Sequence, residues 1–360
     1  MVGESGAGST LAQARDDPEV HVARPARNAP TLESVAARAG VSRATAGRVL
    51  AGSAKVGDQA REAVLSAAAD LSYVTNRAAR SLMTRRSDSI AFVVAEPEDR
   101  FFSDPYFASV LRGAHAAVAT LDVQLVFAVL ADGAERERFE RFARGGHLDG
   151  VVFVSLHGDD PLPQRLQQAG VPVILSGRPF LNDDPPVSYV DADNLGGSRA
   201  AVALLVGRGR RRLATITGPL DMTAAQDRHD GFVTAVAHHG LTVAGTENAD
   251  FSVEGGRRAM LALLDAVPDV DGVFAANDLM ALGALQAAAE RGRRVPEDLS
   301  MIGFDDIPLA AAGTPPLTTV RQPMMEMGQA LAARLLEFVD TGEAPAPLVV
   351  PTEIVLRGTV

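Results

Sequence analysis

The stretch TLESVAARAGVSRATAGRVLAG, residues 31–52, decides the fold of the first part of this 360-residue chain. Thr31 can cap a first helix, whose apolar residues recur at helical spacing. Gly40 suits a tight turn after that helix, because a residue without a Cβ adopts left-handed backbone angles freely. Ser42 can then cap a second short helix over residues 43–50. The stretch therefore predicts two helices joined by a glycine turn.

A third helix is predicted from Asp58 to Leu71, and its apolar face contains Ala60, Val64, Leu65 and Ala68. Two helices that cross closely at the small residue Ala36, with a glycine turn between them, form a helix-turn-helix pattern. In such a unit the second helix enters the major groove of DNA. The arginines of that helix suit guanine, and its hydroxyl groups suit phosphates. A purely structural three-helix bundle is the alternative at this point.

Charge is divided unevenly along the chain. The net charge is −11 overall. Between residues 24 and 86, however, eleven basic and four acidic residues give +7, which leaves −18 for the remainder. A small cationic segment beside a large anionic body is typical of a DNA-binding region attached to a domain that should not touch DNA. A solvated basic face would give the same charge pattern.

Residues 31–50 resemble the DNA-binding head of the LacI/GalR repressor family, whose pattern is T-[IL]-x-x-V-A-x-x-A-G-V-S-x-x-T-V-S-R-V-L. The matching positions are Thr31, Leu32, Val35, Ala36, Ala39, Gly40, Val41, Ser42, Thr45, Arg48, Val49 and Leu50. Ala46 replaces the usual valine and Gly47 the usual serine. We expect a less stable second helix, since glycine inside a helix costs about 0.5–1 kcal/mol relative to alanine.

The segment LSYVTNRAARSL, residues 71–82, resembles the hinge that follows this head in the family. The resemblance implies a short helix that becomes ordered on operator DNA and inserts Leu82 into the minor groove. Thr75 stands where the family often has proline. The DNA-binding residues implied by the head and hinge together are Thr31, Ser42, Arg43, Ala44, Thr45, Arg48, Asn76, Arg77, Ala79 and Leu82.

From Ser89 onwards, short apolar runs alternate with amphipathic segments. The runs that predict strands are 89–96, 123–130, 150–155, 171–177, 212–218, 272–277 and 299–306. Continuous apolar strands that alternate with helices predict parallel sheets covered on both faces. Two successive sets of strands indicate two lobes, with a ligand bound between them at the carboxyl ends of the strands. A helical segment at about 323–339 and strands near 347–357 complete the prediction.

This body resembles the sensor of the same family, which is itself similar to the periplasmic sugar-binding proteins. The resemblance rests on collinear motifs such as DPYFASVLRGAHAAVA (104–119), VDADNLGG (190–197) and VFAANDLMALG (273–283). It implies a small-molecule effector of the sugar class, bound by Arg228, Asn277 and Asp305. It also implies an apolar wall at Phe107, a contact from Gln322 on a crossover strand, and Ser176 where some members have aspartate.

The predicted fold class is therefore α/β: an all-α helix-turn-helix head precedes a two-lobed body that resembles the periplasmic-binding proteins. The expected organisation is a disordered tail over residues 1–29, a DNA-binding domain over 30–74, a hinge over 75–87 and an effector-binding and dimerisation domain over 88–360. We expect a homodimer that reads a pseudopalindromic double-stranded operator.

Several classes of function lack a basis in the sequence. The chain has no cysteine, so disulfides, cysteine-bound metals and thiol catalysis are excluded. No apolar run reaches the length of a membrane span, and the first residues lack a secretion leader, so we expect a cytoplasmic protein. His238 and His239 are adjacent and make a poor metal pair. We predict no catalytic residue, no bound metal and no cofactor.

The preferred hypothesis is a repressor whose operator affinity depends on a small effector. A sugar-binding transport protein is an alternative from another class, although the head and the missing leader oppose it. A sugar-processing enzyme lacks an acid/base pair or nucleophile that we could defend. Within the repressor hypothesis, a corepressor in place of an inducer, and a purine or nucleoside in place of a sugar, stay open.

Overall fold

A computed structural model describes residues 30–50, 53, 55–73, 86–180 and 187–360. The chain divides into two compact units, residues 1–77 and 78–360, which we call the head and the sensor. The predicted tail (1–29) and the predicted hinge residues Asn76, Arg77, Ala79 and Leu82 lie outside the described residues. Within the described residues, no helix is both long enough and apolar enough to cross a lipid bilayer.

The head contains the three predicted helices: α1 (Leu32–Arg38), α2 (Arg43–Leu50) and α3 (Asp58–Asp70). Thr31 and Ser34 cap α1 reciprocally, each side chain accepting a hydrogen bond from the backbone of the other. Gly40 has a φ of +67°, so the turn needs the left-handed backbone that glycine supplies. The prediction of a helix-turn-helix is confirmed.

A small core holds the head together. It consists of the buried residues Val35, Ala36, Ala46, Val49, Val64 and Ala67. The prediction that Leu65 lies on the buried face of α3 is wrong, because Leu65 is half exposed and Ala67 takes the inward position. Ala46 is fully buried, so its small side chain limits the apolar area of this core. A Cβ on Gly47 would have room, 3.7 Å from Cδ2 of Leu32.

The first lobe of the sensor is a six-stranded parallel sheet with the order β11-β5-β4-β3-β1-β2. Its strands are β1 (Ser89–Val94), β2 (Gln124–Val129), β3 (Gly150–Val154), β4 (Val173–Ser176), β5 (Ser188–Ala192) and β11 (Leu348–Val350). Its helices are α4 (Glu98–Ser103), α5 (Pro105–Val118), α6 (Gly133–Phe142), α7 (Leu162–Gln168) and α13 (Met324–Thr341), and a π-helical turn, Ala143–His147, follows α6.

The second lobe repeats this arrangement with the order β12-β10-β9-β8-β6-β7, in which only β12 is antiparallel. Its strands are β6 (Leu213–Thr217), β7 (Gly245–Asn248), β8 (Gly272–Ala275), β9 (Ser300–Asp305), β10 (Thr318–Arg321) and β12 (Glu353–Val355). Its helices are α8 (Asn194–Gly207), α9 (Thr223–His238), α10 (Val253–Ala266), α11 (Asp278–Glu290) and α12 (Pro308–Ala312). The predicted two-lobed parallel architecture is confirmed.

The chain passes between the lobes three times: after β5, after β10 and after β11. The two lobes therefore do not follow each other along the sequence as two separate blocks. Helix α13 packs on α5 and on the first sheet, and β11 adds to the edge of that sheet. The late segment at 323–350 thus completes the first lobe and not the second.

A pair of glycines sets the distance between α5 and α13. A Cβ on Gly113 would overlap the carbonyl oxygen of Met325, and a Cβ on Gly328 would overlap that of Val110. The helix backbones therefore touch, and only hydrogen atoms fit between them at this crossing. In the second lobe, Gly256 and Gly283 allow α10 and α11 to approach each other equally closely, because a Cβ on either glycine would overlap the backbone of the other helix.

We expect Gly113→Ala to lower the free energy of unfolding of the sensor by about 1–3 kcal/mol, because the helices must separate to admit a methyl group. Gly207→Ala is the matched control, since nothing lies within 4 Å of its added Cβ and alanine favours a helix. Urea unfolding of both variants checks this, and equal midpoints would contradict the close approach.

Candidate functional site

An open cavity of about 1080 Å³ lies between the lobes, at the carboxyl ends of the sheet strands. The six residues predicted to bind an effector all line it: Phe107, Ser176, Arg228, Asn277, Asp305 and Gln322. Phe107 lies in the first turn of α5 and Ser176 ends β4, so these two come from the first lobe. Arg228, Asn277 and Asp305 come from the second lobe, and Gln322 comes from the chain passage after β10.

Among the described residues of this wall, Arg228 is the one deeply buried cation, with 5% of its surface exposed. Its Nε donates to Oδ1 of Asn194 (2.8 Å) and its Nη1 donates to the carbonyl oxygen of Ala276 (2.6 Å). The guanidinium also lies over the ring of Phe304, 3.8 Å from the centroid. These contacts hold the plane of the guanidinium fixed, so its remaining N–H groups have a defined direction.

Asp305 faces Arg228 and ends β9. Its Oδ1 is 3.4 Å from Nη1 of Arg228 and accepts a hydrogen bond from Nε2 of Gln322 (2.5 Å). Burial raises the pKa of Asp305 to about 7, and Asp104 adds to the rise, while Arg228 and Gln322 act against it. The carboxyl therefore changes its charge close to neutral pH.

Three further buried carboxyls surround this pair, and sequence reasoning did not assign them to the site. Asp104 caps α5, Asp191 is the last residue but one of β5, and Asp278 begins α11 behind the wall. Burial raises the pKa of all three, because the charged form loses its hydration. Asp104 and Asp191 stand in the quoted motifs DPYF and VDADN. Asp104 directly precedes a helix and Asp191 lies close to the end of a strand, and these positions were the signal that could have assigned them to the site.

Several polar side chains of the cavity, from both lobes, already use part of their hydrogen-bonding capacity within the protein. Asn277 caps α11, its Oδ1 accepting from the backbone of Met280 (2.9 Å), and its Nδ2 donates to the carbonyl oxygen of Phe251 (3.0 Å). One N–H and one lone pair of this amide are left for a ligand. The oxygens of Ser176 and Tyr106 are 3.1 Å apart. Burial raises the pKa of Tyr106 to about 12, so its hydroxyl keeps its proton.

The head presents most of its predicted DNA-facing residues to solvent. Ser42, Arg43, Ala44 and Arg48 are exposed, and Thr45 is half-buried. Ser42 accepts a hydrogen bond from the backbone of Thr45 (3.1 Å), as expected of a helix cap. Nε of Arg43 is paired with Oε1 of Glu33 (3.0 Å), a partner that sequence reasoning missed.

Glu33 binds Arg43 from α1, at the start of the helix that precedes the turn. A backbone hydrogen bond and Thr31 lower the pKa of Glu33, and Arg43 lowers it further. The contact at 3.0 Å is made by Nε of the guanidinium. The two terminal nitrogens of Arg43 can therefore form the two parallel hydrogen bonds that guanine accepts.

Comparisons with known proteins cover both units. A family model described as bacterial regulatory proteins, lacI family, matches residues 31–76, and one described as a periplasmic binding protein-like domain matches residues 202–360. The HTH-type transcriptional regulator CelR of Thermobifida fusca is 46% identical over 92% of this chain and 98% of its own length. The ribose operon repressor of Halalkalibacterium halodurans is 32% identical over 91% of this chain and 96% of its own length.

Solved structures agree with these relatives. The structure described as a transcriptional regulator CelR–cellobiose complex superposes with a TM-score of 0.74 at 42% identity, covering 92% of this chain and all of that one. A lac repressor dimer bound to operator and the anti-inducer ONPF superposes with a TM-score of 0.79 at 25% identity, covering 92% of this chain and 99% of that one.

We expect Asp305→Asn to raise the unfolding temperature of the sensor at pH 8 and to change it less at pH 5. The pKa of Asp305 is higher in the folded protein than in the unfolded chain, so the folded state binds the proton more tightly. Stability is therefore lost as the pH rises from about 4 to about 7, and the amide escapes this loss.

Asp298→Asn is the control with the opposite sign, because the hydrogen bond from Arg294 lowers the pKa of Asp298 in the folded state. Removing that carboxylate should reduce stability at pH 8. Equal unfolding temperatures for Asp305→Asn and the parent protein at both pH values would contradict the assignment.

Proposed function

The chain belongs to the lacI family of bacterial regulatory proteins, and we propose that it is a transcriptional repressor that releases operator DNA when a neutral sugar fills the cavity of the sensor. The observation that carries the proposal is the convergence of the fixed guanidinium of Arg228 with the acceptors of Asp305 and Gln322 on one buried wall. Such donors and acceptors match the vicinal hydroxyl groups of a sugar.

The charge of the cavity supports an uncharged ligand. Its ionisable lining residues are Arg100, Arg178 and Arg228 against Asp104, Asp159, Asp160, Asp191, Asp221 and Asp305. Six carboxyls against three guanidinium groups disfavour phosphate and carboxylate ligands, since like charges in a partly buried site repel strongly. A neutral sugar can accept hydrogen bonds from the arginines and donate hydrogen bonds to the carboxylates.

Cellobiose is the specific effector that we propose. The relative with 46% identity over nearly its whole length is named CelR, and the solved structure at 42% identity is described as a complex with cellobiose. Phe180 is partly exposed and supplies apolar surface within the same cavity, against which a sugar ring can pack.

For the head we propose direct reading of the major groove by Arg43, with Arg48 nearby on the same helix. Glu33 orients Arg43, and the exposed side chain can reach a guanine without unfolding any part of the head core. Asn76, Arg77, Ala79 and Leu82 are proposed to act in the hinge, and Thr31, Ser42 and Thr45 near phosphates. The domain limits of 30–74, 75–87 and 88–360 belong to this proposal.

Two copies of the chain, related by a two-fold axis, are proposed to read a pseudopalindromic operator in the cytoplasm. Binding of the sugar closes the lobes, and closure disfavours the ordered hinge. The operator affinity then falls by the coupling energy, which is typically about 1–3 kcal/mol. The proposal is one of binding alone and includes no catalytic step. A transport protein is disfavoured, because transport gives no use to the DNA-reading head.

We expect Arg43→Ala to weaken binding to operator DNA by about 1–3 kcal/mol, the value of one bidentate contact with guanine. Arg38→Ala is the matched control: it removes the same charge from the head, but Arg38 pairs with Asp70 at the end of α3. Fluorescence anisotropy with the DNA upstream of the gene, at one fixed salt concentration, measures both. Equal losses for the two variants would mean that Arg43 acts through charge alone.

We expect cellobiose to raise the unfolding temperature of the full-length protein and to release its DNA, because a ligand of the native state stabilises it. Glucose 6-phosphate and adenosine are the comparison probes, for the anionic and the nucleoside alternatives. Stabilisation by adenosine alone would refute the sugar proposal, and tighter DNA binding with cellobiose would make the sugar a corepressor.

A further inference from the structure

A cluster of charged side chains around His157 joins the two lobes at the mouth of the cavity. His157 follows β3 of the first lobe, and Asp221 follows β6 of the second. Nδ1 of His157 lies 2.9 Å from Oδ2 of Asp221. Beside this contact, the backbone N–H of Gly158 donates to the carbonyl oxygen of Asp221 (2.7 Å). The two lobes are thus in direct contact here through a side chain and through the backbone.

The second nitrogen of the same imidazole is also occupied. Nε2 of His157 lies 3.1 Å from Oε1 of Glu96, which follows β1 in the first lobe. Glu96 is 3% exposed and is held in place by the hydroxyl of Ser155 (2.5 Å) and by Nη1 of Arg100 (3.2 Å). The imidazole therefore bridges a fixed carboxylate of its own lobe and a carboxylate of the opposite lobe.

This geometry depends on the protonation state of the ring. An ionised carboxylate only accepts hydrogen bonds, and a neutral imidazole has a single N–H to donate. Neutral His157 can therefore bond to Glu96 or to Asp221, and its other nitrogen then turns a lone pair towards the remaining carboxylate. The imidazolium donates to both at once. Hydrogen bonds to charged partners on both sides also make it the stronger bridge.

We propose that His157 is a positioning residue that holds the two lobes together when its ring is protonated, so that the effector response of the sensor depends on pH. The proposal of an effector response rests on the proposed function, whereas the contact between the lobes does not. Hydrogen bonding to Glu96 raises the pKa of His157, and Asp221 adds to the rise, while partial burial opposes it. The bridge is complete below about pH 6.5 and is lost as the pH rises through the raised pKa.

The charged groups around the ring are defined. Glu96 and Arg100 face it from β1 and α4, Asp221 faces it from the β6–α9 loop, and Asp159 and Asp160 follow it in its own loop. Asp160 is neutralised by Arg136 of α6 (3.0 Å). On balance the surroundings are anionic, which favours the imidazolium.

A second contact between the lobes shares the mouth but does not titrate near neutral pH. Arg178, after β4, donates through Nη2 to Oδ1 of Asp227 on α9 (2.7 Å) and through Nε to its Oδ2 (2.9 Å). Thr223 donates to the carbonyl oxygen of Arg178 (2.9 Å). Since arginine stays charged at all relevant pH values, the charge of Arg178 stays constant while that of His157 changes with pH.

The backbone N–H of Gly158 reports on the contact directly, because it is protected from hydrogen exchange only while the lobes are together. Exchange of residues 156–159 is followed by mass spectrometry on the full-length protein at about pH 6 and about pH 8.5, values that bracket histidine titration. Each rate is divided by the intrinsic rate at that pH. We expect lower protection at the higher pH, by about tenfold for each unit by which closure raises the pKa of His157.

His157→Gln and Asp221→Asn should both show protection that no longer changes with pH. Asp221 is half exposed, so its substitution leaves the fold intact even where the histidine variant is unstable. His229→Gln is the matched control, because His229 lies 3.4 Å from Asp230 within α9 and does not bridge the lobes. It should keep the pH dependence of the parent protein.

Protection in the parent protein that does not change with pH would overturn the proposal, as would unchanged pH dependence in both His157→Gln and Asp221→Asn. Titration with cellobiose at the same two pH values, in the parent protein and in His157→Gln, provides the functional readout. We expect tighter binding at the lower pH in the parent protein. Because Asp305 also changes its charge in this range, the part due to His157 is the part of the pH dependence that the variant loses. If cellobiose fails to bind at either pH, the proposed effector is wrong, while the exchange of Gly158 still decides whether His157 joins the lobes.

Discussion

The sensor depends on one buried guanidinium that must serve several carboxyls. Arg228 stacks on Phe304 and donates to Ala276 and Asn194, so its position is set by the second lobe alone. The six carboxyls that line the cavity outnumber its three guanidinium groups, so they cannot all be ionised without mutual repulsion. The sugar that we propose as ligand would relieve this imbalance, because its hydroxyl groups would donate hydrogen bonds to the carboxylates without adding charge.

Much of the fold could be predicted from local patterns. The glycine turn of the head is one strong signal. The apolar strands β1, β3, β6 and β9 are others, since the residues of these strands are buried on both faces of the sheets. Strand β7 reads Gly-Thr-Glu-Asn and contains no apolar residue, so no periodicity could reveal it. Leu65 was misplaced because the apolar residues of α3 allow two neighbouring faces, and tertiary packing chose the one with Ala67.

The candidate site shows the same division between local and distant information. The six residues taken from the family resemblance line one cavity, although Asn277 uses half of its hydrogen-bonding capacity on capping α11 and on the carbonyl oxygen of Phe251. Contacts such as those of Glu33 with Arg43, or of His157 with Asp221, join segments whose separation in sequence gives no hint of their proximity. Only the three-dimensional arrangement reveals which of these charges meet.

The three passages of the chain between the lobes have a consequence for synthesis on the ribosome. Domains usually fold as they emerge, beginning with the N-terminal one. The first lobe cannot do so, because α13 and β11 are made after nearly the whole second lobe. Until residue 350 has left the exit tunnel, one face of α5 and the edge strand β5 stay uncovered in the nascent chain. The sensor must therefore mature late and as a whole, and a chaperone that shields α5 would be most useful in that interval.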